Sequence, residues 1–389
     1  MANYATFPSA GVSVTEGFLE VNAPVLKDTV VQSLDFNAAG RITDYTTSGL
    51  VETWKLGLTS QVIDDVRLRA IWSVDIRAPT IQDLFAPANV NTGNCIDPKT
   101  NITQSCINNV LGNPNLKPEV ARTVSGGVIL TPTFIPGFSF SLDWYSLNLT
   151  GQISAISNNV ILNTCRAQWL AAGNLNDPLC SALVFNGPGG SLNIINRVPV
   201  NLSSLSTSGM DLQASYGMDL WGGTLTLTGS GTYTDQITLV QAGQPDNNYA
   251  GVLGTATAPQ STGASKWKGQ FAANFASGPY KVTAQVRWFG SAILNNQWNT
   301  GNQAPASARW TVPDDVFNVD PTAYLDLRAS YKWSDNIELY SAVDNLLNIP
   351  PQMRPPFSNS VQSNGGPIHT VTQYDMLGRE VRVGIRFNY

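Results

Sequence analysis

Four cysteines are the residues whose type and spacing point most directly to chemistry. They fall in two close pairs, Cys95 with Cys106 and Cys165 with Cys180, and neither pair has the C-x-x-C spacing of a zinc or redox site. Each pair lies in a stretch rich in Gly, Asn and Pro, which is typical of a loop. Although four cysteines permit three pairings, we predict two local disulfides, each closing a loop of roughly 10–15 residues and contributing about 3 kcal/mol on the chain-entropy model. Such bridges indicate an oxidising compartment, and the alternative is free thiols in a cytosolic protein.

The other residue types disfavour catalytic and metal chemistry. The chain has a single histidine, His369, so a Ser-His nucleophile or a multi-histidine metal site has too few ligands. We find no phosphate-binding Gly loop, no nucleophile elbow and no cluster of metal ligands, and we predict no enzyme activity and no cofactor. With 22 Lys and Arg against 27 Asp and Glu, the acidic balance argues against a nucleic-acid partner.

The composition favours strands over helices. Only 13% of the residues are charged, about half the usual share, while Gly, Pro and aromatic residues are abundant. No run of 18 apolar residues is long enough for a membrane-spanning helix. The first residues, Met1 to Tyr4, lack the basic and apolar regions of a signal peptide. Because an oxidising compartment normally requires such a signal, we expect that the chain lacks its beginning.

Alternation of apolar and polar residues is the strongest pattern in the sequence. Apolar residues occupy every second position from Val66 to Ile76, from Met210 to Leu220 and from Ala323 to Trp333. The pattern lasts 10 or more residues, whereas ordinary strands have about 5–6 and a strand tilted across a membrane needs about 9–11. Aromatic residues near the strand ends, such as Trp288 and Phe138, resemble interfacial girdles. We predict an all-β protein, the wall of an antiparallel transmembrane β-barrel in the cell outer membrane.

The pattern predicts about thirteen long strands with connections of alternating length. They are placed near 14–27, 30–46, 48–62, 65–78, 119–133, 138–154, 206–220, 222–241, 266–277, 280–294, 321–334, 336–349 and 379–389. Tight turns alternate with long connections at 79–118, 155–205, 242–265, 295–320 and 350–378, except for a short link at 46–48. Short turns on one side and long extracellular loops on the other are typical of bacterial barrels. Because such barrels have an even number of strands, an odd count predicts an N-terminally truncated wall.

Five segments, in order, resemble the C-terminal part of a TonB-dependent outer-membrane receptor. They are IRAPTIQDLF (Ile76 to Phe85), NPNLKPE (Asn113 to Glu119), TSGMDL (Thr207 to Leu212), VDNLLN (Val343 to Asn348) and GREVRVGIRFNY (Gly378 to Tyr389). The resemblance implies a barrel of 22 strands with a plugged lumen, of which residues 1–389 would be the C-terminal part without the plug domain. It also implies uptake of a scarce ligand, such as a siderophore or carbohydrate, powered by the TonB complex. TonB and the plug would act only in the full-length receptor.

The predicted last strand ends on an aromatic residue. Val383, Ile385, Phe387 and Tyr389 form one apolar row, as a lipid-facing closing strand requires. The resemblance implies that the outer-membrane assembly machinery recognises this end. An ordinary edge strand with a terminal tyrosine is the alternative.

Two sets of side chains are candidate contacts for an unknown small ligand. Five arginines are predicted to face the lumen: Arg67, Arg69, Arg77, Arg287 and Arg328. They suit an anionic ligand. Alternatively, they form ion pairs with Asp75, Asp326 and Asp344 or contact the plug. Three loop tryptophans, Trp169, Trp298 and Trp310, suit stacking on a ligand ring or packing within the loops.

Two other classes of protein remain open from the sequence. A passive porin would have 16–18 strands and mostly short loops. A soluble cell-surface β-sandwich would pack its apolar rows against a second sheet. A barrel instead requires the row from Met210 to Met218 and the row from Leu325 to Tyr331 to face lipid, with Asp211, Gln213, Asp326 and Arg328 inward.

Overall fold

The computed structural model describes residues 9–187, 189–240, 247–253, 264–293, 318–351, 375 and 377–387. Its framework is a set of thirteen long antiparallel strands that follow the alternating segments of the sequence. These strands are β1 (Val14–Lys27), β2 (Ser33–Tyr45), β3 (Gly49–Ile63), β4 (Val66–Arg77), β7 (Glu119–Leu130), β8 (Phe138–Ala155), β11 (Pro199–Leu220), β12 (Gly223–Val240), β14 (Trp267–Ser277), β15 (Tyr280–Phe289), β18 (Thr322–Ser334), β19 (Ile337–Asp344) and β20 (Glu380–Phe387).

The remaining elements lie in the connections. They are α1 (Ile81–Phe85), β5 (Asn89–Ile96), β6 (Thr103–Val110), α2 (Asn158–Ala172), a 3₁₀ helix (Pro178–Ala182), β9 (Leu183–Phe185), β10 (Leu192–Arg197), β13 (Asn247–Asn248), β16 (Ala292–Ile293) and β17 (Asn318–Val319). In the described part of the chain, no helix is long and apolar enough to cross a membrane.

The long strands form one sheet in which each strand pairs with the next long strand along the chain. The order runs from β1 to β20, with the short β13 attached beside β12. Within the described residues, β1 pairs only with β2 and β20 only with β19. The predicted all-β class, the antiparallel pairing and the number of long strands are confirmed. Individual boundaries differ: β11 begins at Pro199 rather than near 206, and β19 ends at Asp344 rather than near 349.

The strand register places the apolar residues on one continuous face. Residues directly opposite each other in an antiparallel pair share a face. One such row runs from Ala214 through Gly229, Phe271 and Val286 to Leu325. No second described sheet covers this face, and Phe271 and Val282 are 49% and 46% exposed. The apolar rows are therefore not the core of a β-sandwich.

Aromatic side chains mark both ends of the apolar face. At the end nearer the long connections, Trp54 meets Trp72 edge-on with ring centroids 4.8 Å apart, and Tyr233 lies 4.7 Å from Trp267. At the turn end, the centroids of Trp221 and Phe275 are 6.4 Å apart. Trp267 and Phe275 lie on the same strand, about 27 Å apart at ~3.4 Å per residue. At the tilt of about 35–45° that barrel strands have, this is roughly 20 Å along the barrel axis, close to the apolar band of about 25 Å in membrane barrels.

Two long connections fold together instead of remaining irregular loops. Strands β5, β6, β10 and β9 form a separate four-stranded sheet, in which β6 of the first connection pairs in parallel with β10 of the second. Helix α2 packs against this sheet around Cys165 and Ile195, both 0% exposed. We call residues 89–110 and 156–197 the loop module. The sequence pattern predicted these connections without any elements inside them, because β6 and β10 are partners from distant parts of the chain.

Candidate functional site: the polar face and the loop module

The polar face of the long sheet curves around a shared cavity. Arg69 of β4 and Arg328 of β18 line the same cavity, together with polar residues of the strands between them. Side chains so far apart in the strand order can share a cavity only if the polar face is concave. Gln213 and Arg328 were predicted to point inward, and both line it.

Hydroxyl and amide groups dominate this cavity. Its lining includes Ser141, Thr228, Gln213, Gln270 and Asn274, and the two arginines are the charged residues in that lining. The amides partly satisfy one another, since Gln285 Nε2 donates to Gln270 Oε1 at 3.0 Å. Each amide keeps further donors and acceptors, so the face suits hydrated, uncharged groups.

Two of the predicted arginines form bidentate ion pairs along the wall. Arg69 makes two hydrogen bonds to the Asp143 carboxylate, at 2.6 and 2.5 Å. Arg287 makes two to Asp326, at 2.6 and 3.0 Å. Bidentate pairing of this kind fixes the guanidinium orientation and leaves fewer donors for a ligand.

Arg328 and Arg67 are held more loosely. Arg328 lies 3.4 Å from Asp344, which Arg382 also contacts, and it donates to Gln285 at 3.2 Å. Arg67 donates to Gln61 at 2.8 Å near the turn end. The proposed partners Asp326 and Asp344 are thus present. Asp75 instead accepts a hydrogen bond from Ser73 at 2.9 Å.

Arg77 is the centre of an ion-pair network at the base of the first long connection. It makes two hydrogen bonds to Glu119, at 2.8 and 2.6 Å, and lies 3.5 Å from Asp83 of α1. The Glu119 side chain is only 5% exposed and also accepts the N–H of Ile153 at 2.7 Å. This network joins β4, α1, β7 and β8, and it was not predicted because its members lie far apart in the sequence.

A glycine makes room for the Arg69–Asp143 pair across β7. A Cβ at Gly127 would overlap the Asp143 carboxylate and lie 2.9 Å from the Leu142 carbonyl oxygen. A Cβ at the adjacent Gly126 would meet only the Arg69 carbonyl oxygen, at 3.9 Å. The register places Gly127 opposite both Arg69 and Asp143, so the pair spans β7 at this residue.

We expect Gly127→Ala to destabilise the sheet by about 1–3 kcal/mol, as in overpacked sites, because Asp143 must leave Arg69. Gly126→Ala is the matched control and should change stability by less than about 0.5 kcal/mol. Urea unfolding followed by tryptophan fluorescence measures both. Equal midpoints for the two variants would contradict the packing argument.

Both disulfides predicted from the cysteine spacing are present in the loop module. Cys95–Cys106 joins β5 to β6 with Cα atoms 6.0 Å apart, and Cys165–Cys180 joins α2 to the 3₁₀ helix with Cα atoms 5.6 Å apart. Both separations lie within the range that a disulfide can span. The bridges lie within single connections.

A buried aspartate links the two connections of the loop module. Asp97 is 1% exposed, and its carboxylate accepts the N–H groups of Lys99 and Leu192, each at 2.8 Å. Arg166 of α2 donates to the Pro98 carbonyl at 3.2 Å. The module is therefore held by polar contacts between connections as well as by disulfides within them.

Trp169 is placed in a packing contact. The Lys99 ammonium lies 3.6 Å from the Phe185 ring centroid and 5.7 Å from that of Trp169, which is a cation–π arrangement. Trp298, Trp310, His369 and Tyr389 lie outside the described residues. The roles of the tryptophans in ligand binding stay predictions.

The last strand presents the predicted apolar row at the edge of the sheet. Val383 is 78% exposed, and Ile385 and Phe387 share its face. Recognition of this row by the assembly machinery stays a prediction.

A curved antiparallel wall with an uncovered apolar face, aromatic bands and a polar cavity is the architecture of membrane β-barrels. The chain belongs to the TonB-dependent receptor family: the family model described as TonB dependent receptor-like, beta-barrel matches residues 2–346. The structure is similar to the siderophore receptor PirA from Acinetobacter baumannii (TM-score 0.62, 17% identity, covering 97% of this chain and 46% of that one). It is also similar to a mutant of the ferric enterobactin receptor PfeA from Pseudomonas aeruginosa (TM-score 0.61, 15% identity, 97% and 45% coverage).

A third similar structure is the ferripyoverdine receptor of Pseudomonas aeruginosa, with a TM-score of 0.53, 12% identity and coverage of 97% of this chain and 38% of that one. At these identities the likeness concerns the fold. The chain spans less than half the length of these receptors. Among curated proteins, no sequence matches it.

Proposed function

We propose that this chain forms part of an outer-membrane receptor that takes up a scarce ligand with energy supplied by the TonB complex. The observation that carries the proposal is the two-faced wall: an apolar face bounded by aromatic bands and a concave polar face lining a cavity. Within a membrane, every backbone group must be paired, and a closed sheet with an outward apolar face satisfies this.

The orientation follows from the connections. The loop module lies at the end with the long connections, which would be extracellular, and the tight turns would be periplasmic. The two disulfides suit that oxidising side. The partners would be outer-membrane lipid, the assembly machinery, a plug domain and TonB. The ligand would be a siderophore, a carbohydrate or a similar scarce compound, the first class being the one named for PirA.

We also propose that residues 1–389 form the C-terminal part of the receptor barrel. Strands β1 and β20 each have one described neighbour, and unpaired backbone groups cost several kcal/mol each in lipid. Further strands beside them would satisfy these groups. We therefore expect that this chain alone does not restore energised uptake to cells that lack the receptor.

Uptake by cells tests the transport role. We expect cells lacking the gene for this receptor to lose accumulation of its ligand, and cells lacking TonB to show the same loss. The probes are ⁵⁵Fe-labelled enterobactin and ¹⁴C-labelled neutral oligosaccharides, each assayed at submicromolar concentration. Restoration by the intact gene is the control. Accumulation that persists without TonB would contradict the proposal and favour a passive pore.

A further inference from the structure

The charged side chains of the loop module are turned inward, onto its own structure. Asp97 is buried and accepts backbone N–H groups, and Lys99 lies over the Phe185 ring. Arg166 donates to a backbone carbonyl, and Asp177 accepts the N–H of Leu179 at 2.9 Å. Arg197 is the register partner of Val110, which places it on the face of the module sheet that also carries Cys106. Asp97, Lys99, Arg166 and Asp177 therefore make contacts within the module, while the buried Nε of Arg197 has no hydrogen-bond partner among the described residues.

The opposite face of β5 and β6 is uncharged and open. Thr92 and Asn94 of β5 lie opposite Ile107 and Ser105 of β6, and Val90 lies opposite Asn109. Thr92, Asn94 and Ser105 are exposed, while the reverse face of the same strands packs through Cys95 and Cys106 into the core. We call this surface the β5–β6 face; it is formed by Val90, Thr92, Asn94 and Ile96 of β5 with Thr103, Ser105, Ile107 and Asn109 of β6.

Lysine and arginine residues are also scarce in the other long connections. The five connections predicted from the sequence contain six Lys or Arg residues in all: Lys99, Lys117, Arg166, Arg197, Arg309 and Arg354. Three of these six, Lys99, Arg166 and Arg197, are the inward-turned cations of the loop module. Anionic ligands are normally held by several arginine or lysine side chains that keep free donors. The long connections within these 389 residues are poorly equipped for such a ligand.

The chemistry of the β5–β6 face matches a different ligand. Side-chain hydroxyls and amides each offer both donors and acceptors, as sugar hydroxyls do. On the same face, Val90, Ile96 and Ile107 supply apolar surface for the C–H side of a sugar ring. The wall cavity has the same character, since both arginines in its lining have hydrogen-bond or ion-pair partners.

We infer that the β5–β6 face binds an uncharged oligosaccharide, so that the ligand of this receptor is a neutral carbohydrate and not an anionic metal chelate. The inference rests on the proposed function, because it names the ligand of the same receptor. Thr92 and Asn94 supply the hydrogen bonds, and the neighbouring aliphatic side chains contact the ring.

Binding to the purified full-length receptor in detergent tests this inference separately from transport. The probes are neutral hexasaccharides of α-1,4-glucan, β-1,4-glucan and β-1,4-xylan, with an alginate hexasaccharide and ferric enterobactin as charged rivals. We expect calorimetry to detect one of the neutral probes, with a Kd that changes less than about twofold between 0.1 and 1 M NaCl, since salt screens only charged contacts.

Point variants locate the site. Thr92→Val and Asn94→Ala should each weaken binding of that neutral probe by about two- to tenfold, the usual effect of one lost hydrogen bond. Asn163→Ala, at an exposed position of α2 outside the face, is the matched control and should bind normally. Unchanged mobility on non-reducing gels checks that both disulfides remain in each variant.

Three results would overturn the inference. Binding of ferric enterobactin or alginate that weakens steeply with salt would do so, and so would neutral binding that Thr92→Val and Asn94→Ala leave unchanged. TonB-dependent uptake without binding of any neutral probe would reject the ligand class and leave the proposed function standing. Oligosaccharide binding without TonB-dependent uptake would support the ligand class and reject the transport role.

Discussion

Replacing Leu327 with arginine is expected to destabilise the inserted receptor by about 2–4 kcal/mol, the range for an arginine at the middle of a lipid-facing strand. Leu327 lies on the apolar face of β18, between Ala284 of β15 and Val343 of β19. Its described neighbours across the sheet, Ala284 and Val343, offer a guanidinium no carboxylate partner, so the charge must be desolvated by lipid. Urea unfolding of the receptor in phospholipid vesicles, followed by tryptophan fluorescence, measures the change.

The matched control puts the same charge on the other face of the sheet. Gln213 lines the polar cavity, where an arginine would remain hydrated. We expect Gln213→Arg to change the free energy of unfolding by less than about 1 kcal/mol, as for other exposed polar sites. A small effect of Leu327→Arg, or an equal effect of both variants, would show that the apolar face does not meet lipid.

Removing the Cys165–Cys180 disulfide is expected to have the second large effect, confined to the loop module. Replacing both cysteines with alanine should lower the free energy of local opening by about 3 kcal/mol, because the bridge limits the unfolded segment of this connection. No described strands pair with each other between α2 and the 3₁₀ helix, so backbone hydrogen bonds between strands do not hold this segment closed. Hydrogen exchange of the α2 amides should become roughly 100-fold faster, while β14 and β15 remain protected.

The other disulfide serves as the control. Cys95 and Cys106 lie in a hairpin whose register is already continuous from Asn89–Val110 to Ile96–Thr103. The Cys95→Ala/Cys106→Ala variant should therefore lose less protection from amide hydrogen exchange around its removed bridge than the Cys165→Ala/Cys180→Ala variant loses around its own. If exchange in α2 is equally slow with and without its bridge, the disulfide is not what holds the module together.

Local sequence was sufficient to predict which residues form the wall and which face each occupies. The side-chain period of a strand is two, so Met210, Leu212 and Ala214 fall on one face whatever lies beside them. The tight turns follow from the same local chemistry. At Trp221 and Gly222 the backbone turns through positive φ values of 51° and 74°. Spacing also predicted the two disulfides, because close cysteines in one loop meet without long-range information.

The sequence by itself therefore determined the strands, their faces, their order and the cysteine pairs, since each depends on residues near one another along the chain. The tertiary structure alone decided the partners across the chain. Strand β6 pairs in parallel with β10, and Arg77 meets Glu119 through the β4–β7 register. Arg69 reaches Asp143 where Gly127 leaves room between them. The physical reason is that alternation is a property of each backbone segment, whereas an ion pair or a parallel ladder requires a register between segments that local patterns do not encode.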